Sequence, residues 1–367
     1  MPLSPPVQSR LAAGAIRTAP LEGETTASWI TRCAARYHLP ASPYLRAVLQ
    51  QEGRATVSGR SALGAELYLN AAARERVAAY SRIEEQVLAR VLPAWPLDLD
   101  VLRHHTGPAA HWQSPTTHTA ASVMAGCLKC TAPRSRGQQV WQYRGRHQRV
   151  CHTHRIWLVG GEAGYTGPTQ IPLDHLGQHE AARILAAHRR HQDLTDPGGI
   201  AAEAWLWARG TIQHLYTDQK LMSGTVPVSW NKRLDALAAQ AGRMGKVWPW
   251  WIIARDLVTY PETFALAEAL TAMTADADAY QHAAAEEHLA GLLSDALRTN
   301  TGPDPADEAG TLARWLARHA RSELQRWLNS RHGDASAAPL HVAPLTWALK
   351  RHADRQGCEA DGVSGPV

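Results

Sequence analysis

Phenylalanine occurs once in this chain of 367 residues and lysine five times, so nearly all of its 38 basic side chains are arginine. That bias, with abundant alanine, is the mark of a high-GC genome, and an arginine count by itself therefore says little about partners. Long apolar runs are absent too. The most apolar stretch, Val247 to Ala254, is interrupted by Pro249 and falls far short of the roughly 20 residues that a membrane-spanning helix needs. Met1 to Arg10 lacks a charged segment followed by an apolar core, so no secretory leader is expected. Five cysteines are too few for a disulfide scaffold, and reduced thiols suit the cytoplasmic location that these absences imply. Cys33 is expected in the core of a helix, and Cys358 is expected to be an incidental thiol in a C-terminal tail.

Carboxylates are missing from residues 127–155, where Lys129, Arg134, Arg136, Arg144, Arg146, Arg149 and Arg155 all stand. Taking these seven away leaves 31 basic against 33 acidic residues, so the net charge of +5 is local to this window. Guanidinium groups bridge phosphate oxygens and release counterions. Beside Trp141, Tyr143 and His147 they suit a phosphate-tracking surface, with Lys129, Arg134, Arg136, Arg144, Arg146 and Arg149 as the candidate nucleic-acid contacts. The bland alternative is a solvated hairpin whose charge offsets three thiolates on a metal ion.

The same window holds Cys127, Cys130, Cys151 and His154, a Cys-x2-Cys and a Cys-x2-His pair separated by twenty residues. Zinc takes a tetrahedron of thiolate and imidazole donors, and a two-residue gap lets a tight turn aim both side chains of a pair at one ion. One structural Zn2+ is expected. His152 also follows Cys151 closely and is an alternative ligand, although His154 completes the two-residue gap and is preferred. Four protein donors leave no open position for an activated water, which makes the ion a folding staple. Between the pairs, Val140 to Tyr143 and the return toward Val150 predict a hairpin of two short strands turning at Gly145.

The chain as a whole reads as mainly α: a helix-turn-helix-like N-terminal module, a small zinc-finger hairpin module and a C-terminal helical module. Residues 1–20, with Pro2, Pro5, Pro6 and Pro20, look disordered. An N-terminal domain over 21–120 opens with a helix at 25–38 that Pro40 ends, and Ser42 followed by Pro43 predicts the cap and first turn of a second. Further helices are expected at 70–79 and 82–92, the latter with Ser81 and Glu84 as a capping box. Residues 104–122 read as a linker, 121–165 as the zinc module, and 172–330 as the C-terminal domain. In the last, Gly160 to Pro172 leads as a loop into a helix over 173–193. The Trp-rich run Val247 to Ile253 is read as core. The stripe Leu312, Trp315, Leu316, Ala320, Leu324, Trp327 and Leu328 follows a start signal at Asp304 and Pro305, with Arg314, Arg318 and Arg321 on its solvated side. Residues 331–367 form a flexible tail with one short helix near Pro344 to Arg355.

Two stretches resemble a known family. Leu21-Glu22-Gly23-Glu24-Thr25-Thr26-Ala27-Ser28-Trp29-Ile30-Thr31-Arg32 looks like the opening of TniQ-family proteins, where a Gly-Glu pair precedes a Ser-Trp-aliphatic-x-Arg helix start. The Cys127 to His154 array, continued by Arg155-Ile156-Trp157-Leu158, is similar to that family's zinc finger. Ala187 to His191 and Tyr260 to Ala267 resemble later segments, so the likeness spans about 21–272. It implies a non-enzymatic target-selection factor of transposons. Such a factor meets DNA or a DNA-recognition complex, RNA-guided in some cases, and hands the site to a transposition ATPase and a transposase, with a homodimer as one arrangement of the chain itself. The metal ligands carry over onto Cys127, Cys130, Cys151 and His154, and no catalytic residues do. Many members add a second cysteine pair after the Cys-x2-His; none follows here, and a second zinc site is not expected.

Two other classes stay open on the residues alone. One is a stand-alone zinc-containing DNA-binding regulator. The other is a zinc hydrolase drawing on His104, His105, His111, His188 and His191, although no Glu stands in a His-Glu-x-x-His arrangement.

Overall fold

Helix dominates, as the apolar periodicity predicts, but among the described residues eight short strands are interspersed through the first half. The structure is a computed structural model and describes residues 14–49, 57–59, 64–97, 109–113, 121–145, 148–159, 167–193, 200–221, 227–241, 250–275, 285–301 and 308–331. The chain divides into two compact units, Met1–Arg146 with Leu158–Gln170 and His147–Trp157 with Ile171–Val367.

In the first unit, α1 (Thr26–Ala35) starts where the Thr25 hydroxyl accepts the Ser28 N–H at 3.0 Å, which satisfies one of the orphan donors of the first turn. Its stripe of Trp29, Ile30, Cys33 and Ala34 is buried. The helix ends short of the expected 38, because the chain turns through His38 at a left-handed φ of 57°. In α2 (Ala41–Leu49) the Tyr44 N–H reaches the Pro40 carbonyl, so Ser42 lies inside the first turn instead of capping it. Upstream, Gly14 to Pro20 lack helical periodicity yet are held by side chains: the indole N–H of Trp29 donates to the Thr18 carbonyl and Arg32 donates to that of Ala19.

The strands β1 (Val57–Ser58) and β2 (Glu66–Leu69) precede α3 (Ala71–Ser81), which Asn70 caps by accepting the Ala73 N–H at 2.9 Å. Before α4 (Glu85–Val91) the expected capping box does not form. Arg82, left-handed at φ 57°, ends α3, so Ser81 is still helical and its hydroxyl donates to the Ala78 carbonyl. β3 (Ala110–Gln113) lies between β1 and β2, parallel to the first and antiparallel to the second. This strand falls in the segment expected to be a linker. β2 escaped notice because all four of its residues are buried, which removes the two-residue alternation that marks a half-exposed strand.

β4 (Ala121–Ala125), α5 (Leu128–Ser135) and β5 (Trp141–Gly145) complete this unit. β5 is antiparallel to β4, from Ala121 opposite Gly145 to Ala125 opposite Trp141. The hairpin expected from 141 to 150 is therefore not present, and Gly145 is a paired strand residue, not the turn. On its other side β5 meets residues 23–25: the Thr25 N–H donates to the Trp141 carbonyl and the Tyr143 N–H to that of Gly23, whose φ of 70° suits glycine.

The second unit opens with β6 (Val150–Cys151), β7 (Ile156–Leu158) and β8 (Gln170–Pro172), in the order β6-β7-β8. The helix expected over 173–193 is split: a 3-10 turn, Leu173–Leu176, gives way at Gly177 (φ 84°) to α6 (Gln178–Asp193). α7 (Ile200–Leu221), α8 (Val228–Ala241), α9 (Trp250–Ile253), α10 (Arg255–Val258), α11 (Tyr260–Ala275), α12 (Ala285–Thr301), α13 (Glu308–His319) and α14 (Arg321–Arg331) follow. α11 is apolar almost all round and packs against α6, α7 and α12, as a helix without a polar face must. The final stripe is two helices meeting at Ala320, with Leu316, Ala320, Leu324 and Trp327 buried and Arg314, Arg318 and Arg321 exposed. The start signal at Asp304 and Pro305, the helix at 344–355 and Cys358 lie outside the described residues.

Candidate metal centre

Cys127 sits at the N-cap of α5 with extended backbone (φ −61°, ψ 117°), and its carbonyl accepts the Thr131 N–H at 3.0 Å. Cys130 follows three residues on, within the first helical turn, where side chains at that spacing share a face. The expected tight turn is thus a helix start. Cys151 closes β6, and residues 152–155 turn the chain back so that Cys151 pairs with Ile156 in β7. Arg155 makes that turn with φ 51°, and His154 stands just before it.

The ligand atoms of Cys127, Cys130, Cys151 and His154 all lie within 4.8 Å of one another. Cys151 Sγ and His154 Nδ1 are 3.6 Å apart. Donors at about 2.3 and 2.0 Å from a tetrahedral ion stand roughly 3.5 Å apart, so this pair already has the spacing of two ligands on one metal. The four residues can hold a metal ion. Among the described residues no other group of three or more His, Cys, Asp or Glu side chains is so placed.

His152, the alternative ligand, is not in this group. Its ring stacks on His188 with centroids 4.8 Å apart, and burial, with the nearby Arg189 charge, lowers its pKa. His188 and His191 are buried in the helical core: the first lies 3.0 Å from the Tyr260 hydroxyl through Nδ1, and the second packs between Trp205 and Phe264. His111 is on β3, its Nδ1 2.7 Å from the Ser58 hydroxyl, while His104 and His105 lie outside the described residues. Among the described residues, His111, His188 and His191 belong to no group that could hold a metal ion.

The basic window is divided among several elements. Lys129 and Arg134 are exposed on α5, and Arg136 is exposed at its left-handed C-cap. Arg144, half-buried on β5, donates to the Gln142 side chain at 3.0 Å. Arg149 lines a small cavity with Trp157, Tyr260 and Asp256. There burial opposes ionisation of Asp256, but Arg209, Arg149 and Arg255 outweigh it and hold the carboxyl well below its ordinary range. Arg155 pairs with Asp174 at 2.9 Å, and Arg146 lies outside the described residues.

A family model described as TniQ matches residues 15–158. Over that range the chain is similar to a TniQ domain. All four metal-ligand candidates fall inside the matched range, as do α1 to α5. No curated protein and no solved structure matches the chain. Among the described residues no helix is long and apolar enough to cross a membrane.

Of two basic residues near this region, Arg32 enters the sequence pattern only as the end of the helix-start motif, and Arg36 does not enter it. Arg32 and Arg36 lie four residues apart at the end of α1, about a hundred positions from Arg134, yet line one cleft with it. Their helical spacing was visible; their nearness to α5 depends on the pairing of β5 with residues 23–25.

Proposed function

We propose that this chain is a non-enzymatic, zinc-containing accessory factor of DNA transposition that selects or marks a target site and recruits the transposase and its ATPase regulator. The TniQ match over residues 15–158 carries the proposal, and the Cys3His cluster inside that range supports it. Cys127, Cys130, Cys151 and His154 would hold the Zn2+. With three thiolates and one imidazole the ion has no vacant position for substrate water, which suits a structural site. It supplies folding energy by tying four donors together.

Lys129, Arg134, Arg136, Arg144, Arg146 and Arg149 are proposed to meet nucleic-acid phosphates. Exposure of Lys129, Arg134 and Arg136 favours this role most, and the involvement of Arg149 with Asp256 favours it least. Such contacts give affinity and register with little sequence information.

Capture of the full chain from its native host, read by mass spectrometry, tests the proposal. Recovery of a transposition ATPase and a transposase is the expected result. DNA binding in the absence of either partner would instead make the chain a stand-alone regulator. Arg144→Glu with Arg146→Glu is expected to weaken binding on all duplex sequences alike and to flatten its salt dependence.

A further inference from the structure

The C-terminal ends of α1 and α5 form the walls of a cleft of about 160 Å³ in the first unit. Arg36 and His38 line it from one side, and Arg134, Ser135 and Arg136 from the other. Arg32 lies at its base with its charge already engaged. The carboxylate of Glu24 takes two of its N–H groups, while the carbonyls of Ala19 and Arg134 take others, the last at 3.2 Å. Arg32 therefore fixes where the end of α5 stands. Arg36, Arg134 and Arg136 form no ion pair among the described residues, and no acidic side chain lines the cleft. Three positive charges consequently converge on one concavity without counter-ions.

Ser135 supplies a second, independent observation. It is 4% exposed, and its hydroxyl is buried without a hydrogen-bond partner. A helical serine normally bonds back to the carbonyl four residues earlier, and leaving a buried hydroxyl unpaired is unfavourable. A hydroxyl so placed, beside uncompensated guanidinium groups, is a donor waiting for an anionic oxygen.

Size and lining narrow the class of ligand. A volume of about 160 Å³ is well below the roughly 300–1,000 Å³ of pockets that enclose small molecules. At about 30 Å³ per water it matches a few waters or one tetrahedral oxyanion. No Phe, Tyr or Trp lines it, and the lining is dominated by guanidinium groups, which suits a phosphate better than a base. We infer that this cleft seats one backbone phosphate of a nucleic acid, bound by Arg36, Arg134, Arg136 and the Ser135 hydroxyl. The inference rests on the nucleic-acid reading above and adds to it a defined seat that includes Arg36 and Ser135.

The test uses the full-length, zinc-loaded chain and fluorescence anisotropy on three unrelated DNA duplexes over a range of salt. Arg36→Gln with Arg134→Gln is expected to lower affinity about tenfold on every duplex and to reduce the slope of log K against log salt by about 0.9, the change expected when one phosphate is no longer neutralised. If that pair fails to fold, Arg136→Gln, at an exposed turn position, takes its place, with a smaller drop in affinity expected on every duplex. Unchanged affinity and slope in a folded variant would overturn the seat alone. Failure of the unaltered chain to bind any duplex would overturn the nucleic-acid reading and the seat with it. Stabilisation of the unaltered chain by millimolar inorganic phosphate, abolished in a variant whose DNA affinity is unchanged, would assign the cleft to a free anion and overturn the inference.

Discussion

Arg32 lays its guanidinium fork on the carboxylate of Glu24, Nε to Oε1 at 2.8 Å and Nη2 to Oε2 at 2.5 Å, with both side chains buried. The Ser28 hydroxyl donates to the same carboxylate at 2.9 Å, and the Leu21 N–H reaches it from outside the helix. Ser28 and Arg32, four residues apart on one face of α1, both turn to Glu24, which stands just before the Thr25 cap. A buried pair is costly to desolvate, but removing one partner strands the other charge. Arg32→Met is therefore expected to destabilise the chain by about 3–5 kcal/mol in urea unfolding, and Glu24→Gln added to it should restore part of that stability.

Arg233 gives a parallel case in the second unit. Its guanidinium donates to both oxygens of Glu262 at 2.8 and 2.9 Å, with both side chains fully buried, and to Glu180 as well. Arg233→Met should lower stability by about 3–5 kcal/mol, because the buried Glu262 loses its bidentate partner and keeps only Arg183 at 4.0 Å, while Glu180 retains Arg183 at 3.0 Å. A variant as stable as the parent in denaturant titration would show that the pair has been replaced at no cost.

The metal site predicts one zinc per chain by elemental analysis and none in Cys127→Ser with Cys151→Ser. Chelation should lower the melting temperature of the parent and leave that of the double variant unmoved. Small zinc modules draw roughly 10–16 kcal/mol of apparent binding energy from such an ion, so the drop should be large.

Stability should also depend on Glu66. This carboxyl is wholly buried, and burial pushes its pKa up to about 7 despite hydrogen bonds from the Leu67 and Ala27 N–H groups and the Tyr143 hydroxyl. The folded state thus keeps a proton that the unfolded chain releases from about 4.5 upward. The stability contributed by Glu66 is fully present below that value and declines as pH rises to about 7. Denaturant unfolding at pH 5 and pH 8, with zinc saturating, should show a smaller pH effect in Glu66→Gln than in the parent.

The Cys127, Cys130, Cys151 and His154 cluster was readable because two-residue gaps constrain side chains locally, through a helix turn for the first pair and a tight strand return for the second. Helices with clear caps or stripes, α1 and α3 among them, were legible for the same reason. What escaped was non-local. The partner of β5 is β4, a five-residue Ala-Ser-Val-Met-Ala strand that starts at the end of the His, Pro, Thr and Ser-rich stretch and is too short to carry a clear strand signature of its own. Ser81 and Ser42 satisfied capping patterns away from the actual helix starts, since a left-handed Arg82 and the Pro40 carbonyl decided where the helices ended and began. The choice between His152 and His154 needed the fold as well, because it turns on which ring packs on His188.

β5 has a neighbour along each side over Trp141 to Tyr143: β4 on one flank, residues 23–25 on the other. Strands with open flanks invite pairing by foreign chains, and this one has no free backbone there to offer. A visiting macromolecule at this stretch must be gripped by side-chain chemistry instead of by extension of the sheet, and exchanging those side chains can retune the grip without rebuilding the scaffold beneath.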